Sequence, residues 1–301
     1  MSDSTIIETN SDATGAKRYA VDRGYWSDPF IRYFSSRLDK GRRTVILSRR
    51  YFTRVHTFFT QAVAFCSKFQ GKCNIVSLGA GFDTLYWRLK ANGTTFSQFV
   101  EVDFKEVILH KAEIVKRHRP LHDLQGDDYT AMSHDLRAED AAASIRAAVT
   151  DPSLPTLIMT ECVLVYMPPN DSHRLIAAMA EAFPTSIWLD YEPINATDSF
   201  GQMMVHNLKA RGCELPGIHA SPTVAAHSRR FEDSGYEHAT AVDLNHAYQL
   251  IPADERRRIQ RLEFLDELEE WTLINSHYCC TTACVDAANA GLQHLLLPTQ
   301  P

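Results

Sequence analysis

No apolar run in the chain reaches the roughly 18 residues that a membrane-spanning helix requires, so no membrane partner is expected. Surplus positive charge is absent too. Lys and Arg number 31 against 37 Asp and Glu, a formal net charge of −6, which speaks against a broad nucleic-acid surface. Cysteine is scarce: Cys66, Cys73, Cys162, Cys213, Cys279, Cys280 and Cys284. An odd count spread through apolar segments suits reduced, buried thiols rather than a disulfide framework. The one tight group, Cys279-Cys280 with Cys284, has no matching His or Cys pair at zinc-ligand spacing, and the 13 histidines contain no His-Glu-x-x-His, so no metal is expected. The first 15 residues are polar and acidic, with no apolar core of the kind a secretory leader has. They read as a disordered tail, and the protein is expected to be cytoplasmic.

What remains is an ordinary globular composition, 45% hydrophobic and 23% charged over 301 residues, enough to bury one large core. Val55, Phe58, Phe59, Ala62, Val63 and Cys66 recur at helical spacing. The period then changes: Ile75 to Leu78 is a short apolar run ending in Gly79-Ala80-Gly81, a buried strand entering a turn. A helix is predicted from Asp83-Thr84, with Leu85, Trp87 and Leu89 on its inner side. Strands are predicted at 98–102, at a third site ending near His134-Asp135, at 156–160 and at 186–191, with helices at 104–118, 138–149 and after Pro168-Pro169 between them. Such alternation implies right-handed crossovers and a parallel sheet covered on both faces. Beyond Pro193 come two predicted helices, 198–211 and 223–234, then a strand at 236–242, one long charged helix at 253–274 and a last strand at 277–285. The expected architecture is α/β: a Rossmann-like sheet forming a single domain over 16–301, capped by the N-terminal region at about 16–70 and by a late insertion at about 195–235.

In sheets of this kind ligands bind beyond the carboxyl ends of the strands, where strand order reverses. The loop Leu78-Gly79-Ala80-Gly81-Phe82-Asp83-Thr84 lies there, with Thr84 in the third-glycine position of the dinucleotide fingerprint. Asp103 ends Val100-Glu101-Val102-Asp103, where a carboxylate can accept both hydroxyls of an adenosine ribose; the same position also suits a helix-start acid. Asp135, before Leu136, can accept from an adenine amino group while Leu136 packs on the ring, or it can cap a helix. Glu161 sits in a nearly continuous apolar run, where a carboxylate needs a cation: a ligand ammonium or a salt bridge within the chain.

Several segments then carry a resemblance: Lys17-Arg18-Tyr19-Ala20, Gly24-Tyr25-Trp26-Ser27-Asp28-Pro29, Tyr51-Phe52-Thr53-Arg54-Val55-His56, the glycine loop, Glu101-Val102-Asp103-Phe104, Asp135-Leu136-Arg137, Glu161 to Met167, Phe200-Gly201-Gln202 and His277-Tyr278-Cys279. From about Lys17 to Cys284 the chain resembles the leucine carboxyl methyltransferases. These use S-adenosylmethionine to methylate the C-terminal leucine carboxylate of the type 2A protein phosphatase catalytic subunit. The resemblance implies that cofactor and that partner, and cofactor contacts at Lys17, Arg54, Gly79, Asp103, Asp135, Leu136 and Glu161. It leaves open whether Lys17 and Arg54 hold the cofactor's carboxylate or the substrate's. The chain departs from the family at Ser48-Arg49-Arg50, where Asn-Arg-Gly is usual, and its segment between Asp103 and Asp135 is shorter than in animal members.

A C-terminal carboxyl, with a pKa of about 3.5, arrives ionised, so no general acid or base is assigned. Tyr166 is expected as a wall of the transfer pocket, and the protein is expected to act as a monomer. Three other readings stand beside this one. A related carboxyl methyltransferase could act on a modified tRNA nucleoside, against which the acidic charge and the short segment after Cys284 count. A non-catalytic phosphatase-binding module is set against the retained Asp103, Asp135 and Glu161. A nicotinamide dehydrogenase is weakened by Thr84.

Overall fold

The computed structural model describes residues 3–35 and 43–299. The part of the expected cap at 36–42, the first two residues of the expected tail and the last two of the chain lie outside the described residues. Three helices come first: α1 (Asp3–Asp22), α2 (Ile31–Phe34) and α3 (Val45–Lys68). Strand and helix then alternate through β1 (Asn74–Leu78), α4 (Leu85–Ala91), β2 (Gln98–Asp103), α5 (Lys105–Arg117), α6 (Arg119–His122), β3 (Tyr129–Ser133), α7 (Ala141–Ala148), β4 (Thr156–Glu161), α8 (Pro169–Ala182) and β5 (Thr185–Pro193). The chain ends with α9 (Ser199–Ala210), α10 (Val224–Glu232), β6 (His238–Asp243), α11 (Leu244–Leu250), α12 (Ala253–Gln260), α13 (Leu268–Asn275) and β7 (Tyr278–Asp286).

The strands form one seven-stranded sheet in the order β3-β2-β1-β4-β5-β7-β6. Strands β1 to β5 pair in parallel, with Leu78 opposite both Val102 and Thr160. Order reverses between β1 and β4, so the glycine loop and Glu161 leave the sheet side by side at its switch point. The expectation of an all-parallel sheet is corrected at the far edge. Strand β7 slots between β5 and β6 and runs antiparallel to both; composition marks a strand but carries no direction. Apolar side chains cover both faces. Phe65, Ile75, Tyr86, Trp87 and Phe99 belong to one cluster; Val76, Val100, Ile158, Trp188 and Phe231 belong to the other.

Three other expectations are corrected, and one element is added. The segment read as a disordered tail is the first half of α1. Its polar composition gives it no core of its own, and tertiary contacts supply one: Asn10 Oδ1 accepts from the Phe82 N–H at 2.9 Å, and Thr14 and Ala16 are buried. The long helix at 253–274 is two helices. Between them the chain turns Leu265 into a cluster with Tyr25 and Phe52, and Glu263 accepts from the Tyr25 hydroxyl at 3.2 Å. Arg258 from the first of them donates to the carbonyls of Gly24 and Tyr25. Helix α10, assigned to the cap at 195–235, instead covers the sheet: Phe231 is fully buried, its ring 5.5 Å from that of Trp188. Helix α11 was not foreseen; it follows β6 directly, with Asp243 accepting from the His246 N–H as its N-cap.

Candidate functional site

One cavity of about 560 Å³ opens at the switch point, between the carboxyl ends of β1, β2 and β4 and helices α1 and α3. All eight residues singled out in the sequence line it: Lys17, Arg54, Gly79, Asp103, Asp135, Leu136, Glu161 and Tyr166.

The sheet side is built from strand ends. Gly79 and Gly81 have φ of +61° and +51°, the left-handed region that favours glycine. A Cβ on Gly79 would lie 2.6 Å from the Val163 side chain, and one on Gly81 2.6 Å from Asn10 Oδ1. The loop therefore leaves no room for a side chain on either side of Ala80. Asp103 holds it in place, accepting from the N–H groups of Gly81 and Phe104, each at 2.7 Å. Burial pushes this carboxyl above its usual pKa, and the two N–H donors only partly offset that. Each oxygen keeps a lone pair. Asp135 does not cap α7, which starts six residues later; it accepts from the Arg137 N–H at 2.9 Å and pairs with the Arg137 guanidinium at 2.8 Å, half exposed.

The cap side is built from charge. Lys17 Nζ lies 2.5 Å from Asp83 Oδ2 and 2.9 Å from a Glu161 oxygen, and the Arg54 guanidinium donates to Glu161. These four side chains form a neutral cluster at the floor of the cavity. Burial alone would raise Asp83, but Lys17, with Lys111 and Arg88, overrides it and holds the carboxyl far below the usual range. Glu161 thus takes the option of a salt bridge within the chain. Arg54 lies against the rings of Tyr191 at 4.6 Å and Tyr51 at 5.4 Å. The turn after β4 is pinned by Glu192, whose Oε1 accepts from the Val163 and Leu164 N–H groups at 2.9 Å. Two pocket groups are made inert by their surroundings: burial pushes the Cys162 thiol up to about 12 and raises the Tyr166 phenol further still. Among the described residues no group of three or more His, Cys, Asp or Glu could hold a metal ion, and no helix is long and apolar enough to cross a membrane.

Sequence reasoning missed Asp83, although it stands inside the glycine loop, and also Arg50, Tyr51 and Tyr278, which line the same cavity. Arg50 precedes Arg54 by one helical turn, a spacing that places both on one face of α3; that was the available signal.

A family model described as "Leucine carboxyl methyltransferase" matches residues 5–180. The chain is 34% identical over 311 residues to leucine carboxyl methyltransferase 1 from Bos taurus, covering 97% of this chain and 93% of that protein. It is also 34% identical over 296 residues to tRNA wybutosine-synthesizing protein 4 from Homo sapiens, covering 91% of this chain but 43% of that one. Among solved structures it is similar to a DUF574 family protein from Streptomyces avermitilis, with a TM-score of 0.53 at 14% identity over 79% of this chain and 87% of the other, a likeness of fold.

Proposed function

This chain belongs to the leucine carboxyl methyltransferase family, and we propose that it esterifies the C-terminal leucine carboxylate of the type 2A protein phosphatase catalytic subunit. It is an S-adenosylmethionine-dependent methyltransferase. The observation that carries the finer reading is the match to the bovine enzyme along 93% of that protein's length.

The residues present fit the cofactor. Gly79 and Gly81 line the cavity in a backbone conformation that favours glycine, and Asp103 lines it with lone pairs to spare. In this reading Asp103 accepts from the ribose hydroxyls. Asp135 accepts from the adenine amino group, Leu136 packs on the ring, and the backbone of Gly79 lies along the ligand. The amino-acid end is zwitterionic, and the neutral cluster offers both signs to it: Glu161 for the ammonium, Lys17 and Arg54 for the carboxylate. Bound there, S-adenosylmethionine supplies an electrophilic methyl group whose transfer leaves a neutral thioether.

The protein's own task is orientation. The acceptor carboxylate is ionised at neutral pH, so one of its oxygens forms the new bond with no proton to remove. Holding it in line can contribute up to roughly 7–11 kcal/mol through proximity. Side chains from α1 and α3 line the cavity, and Tyr166 forms one wall. Cys162, protonated at neutral pH, does not compete for the methyl group.

The test is mass spectrometry of a type 2A phosphatase catalytic subunit incubated with this protein and S-adenosylmethionine, with a cytoplasmic, monomeric enzyme in view. A gain of one methyl on the C-terminal leucine is expected. The equal identity to the tRNA-modifying relative favours a second reading, a carboxyl-bearing tRNA nucleoside as acceptor. Methylation of tRNA with none of the phosphatase would replace the first reading by the second.

A further inference from the structure

Arg50 has no part in the cofactor assignments above, yet it lines the same cavity. Its guanidinium lies 4.7 Å from the centre of the Tyr278 ring and 5.9 Å from that of Tyr51. The Tyr278 ring in turn stacks on Tyr191, at 5.4 Å and 9°, whose ring carries Arg54. Two arginines one helical turn apart are thus fixed by one set of stacked rings, but their charges are treated differently. Arg54 is matched by Glu161, and Lys17 by Asp83. Among the described residues no carboxylate lies within 4 Å of Arg50. Burial opposes its charge, but Tyr278, Tyr191 and Tyr51 favour it and outweigh both burial and the repulsion of Arg54, so the guanidinium stays charged. Around the cluster Lys17, Arg50 and Arg54 therefore carry three positive charges against two negative ones on Asp83 and Glu161.

The zwitterionic end of the cofactor adds no net charge to the neutral cluster and its sulfonium adds one positive charge, so the surplus stays in place. A carboxylate acceptor brings a negative charge that offsets it. We propose that Arg50 receives the acceptor's carboxylate and makes this site selective for an ionised carboxyl group; the inference rests on the carboxylate-methylation reading. A guanidinium lying against two rings can present two parallel donors, which suits a planar carboxylate better than an ammonium would. It can bind the oxygen that does not react and fix the angle of the one that does.

The experiment compares two fluorescent hexapeptides ending in leucine, one with a free carboxylate and one with a C-terminal amide. Anisotropy is read with S-adenosylhomocysteine present, on wild type, Arg50→Met, Arg50→Gln and Arg50→Lys. Wild type is expected to prefer the acid at least tenfold. Arg50→Met and Arg50→Gln should bring acid and amide within twofold, with Arg50→Lys between, while calorimetric affinity for S-adenosylmethionine changes less than twofold. A purely structural Arg50 would lower acid and amide affinity together. That result, or an acid preference that survives in both neutral variants, overturns the proposal, and a matching loss of cofactor affinity assigns Arg50 to the cofactor instead. If wild type itself does not distinguish acid from amide, the carboxylate reading falls together with this one; discrimination by both wild type and variants rejects Arg50 alone.

Discussion

The two sides of the cavity hold their acids in opposite ways. On the sheet side, Asp103 makes no salt bridge among the described residues, and burial raises its pKa against the pull of two backbone N–H groups and of Lys111. Where the cap meets the sheet, burial also acts on Asp83, but Lys17 at 2.5 Å reverses the sign and depresses it. A carboxylate held by backbone dipoles keeps acceptor capacity for a ligand. One held by ammonium and guanidinium groups ties two distant helices to the sheet. The first arrangement is a binding element and the second is a clasp, and substitutions should separate them.

The largest effect is expected on the clasp. Glu161→Ala removes the shared partner of Lys17 and Arg54, all three less than a fifth exposed. Taking one member from a buried ion pair costs about 3–5 kcal/mol, and the lower end applies because Lys17 keeps Asp83. Urea unfolding of the cofactor-free protein should show a loss of about 3 kcal/mol. Unfolding at the wild-type midpoint would mean that the cluster does not hold the cap.

Asp103→Ala tests the binding element and should be smaller for the fold than for the ligand. Calorimetry should record a loss in S-adenosylmethionine affinity of about 1.5–3 kcal/mol, the scale of a hydrogen bond to a charged acceptor. The fold loses an acceptor for the Gly81 and Phe104 N–H groups, which costs about 1–2 kcal/mol where loop water can replace it in part. Unchanged affinity in a folded variant would remove the ribose assignment and break the contrast between the two sides.

The same contrast governs what could be read from sequence. Asp103 and Glu161 were legible because each ends an apolar strand, and Asp135 because it follows β3 by two residues; a parallel sheet brings strand ends to one edge whatever else the chain does. Lys17, Arg54 and Arg50 sit on helices, where a basic residue on the polar face looks the same whether it meets solvent or a cavity. Resemblance supplied the first two, and only the packing of α3 on the sheet exposed the third. The docking of α1 was hidden for a related reason: its contacts, such as Asn10 with Phe82, come from residues far apart in the chain. The break between α12 and α13 was hidden by continuous helical periodicity through Ile259, Leu262 and Leu265, which says nothing of a partner such as Tyr25 some 240 residues away.

The smallest effect expected is on pH dependence, where the two acids should pull in opposite directions. For Asp83 the folded pKa is depressed, so its stabilising contribution is fully present above the unfolded value of about 3.9 and is lost as pH falls below it. For Asp103 the folded pKa is raised, so the native state is penalised while this carboxyl is ionised. That penalty is relieved as pH falls from its native pKa towards 3.9. Between neutrality and about pH 4, Asp103 therefore makes the cofactor-free protein slightly more stable than its other groups would, and it does so by taking up a proton. That proton occupies an oxygen the ribose needs, so cofactor affinity should decline in the same interval while Asp83 keeps its charge and the cap stays clasped. Urea midpoints and calorimetric affinities measured from pH 7 to pH 4 should accordingly diverge, affinity falling before stability does. In Asp103→Asn the early decline in affinity should disappear, and in Asp83→Asn the acid limb of the stability curve should flatten. A wild-type protein whose stability and affinity fall together would place both acids under one control and erase the distinction between the two sides.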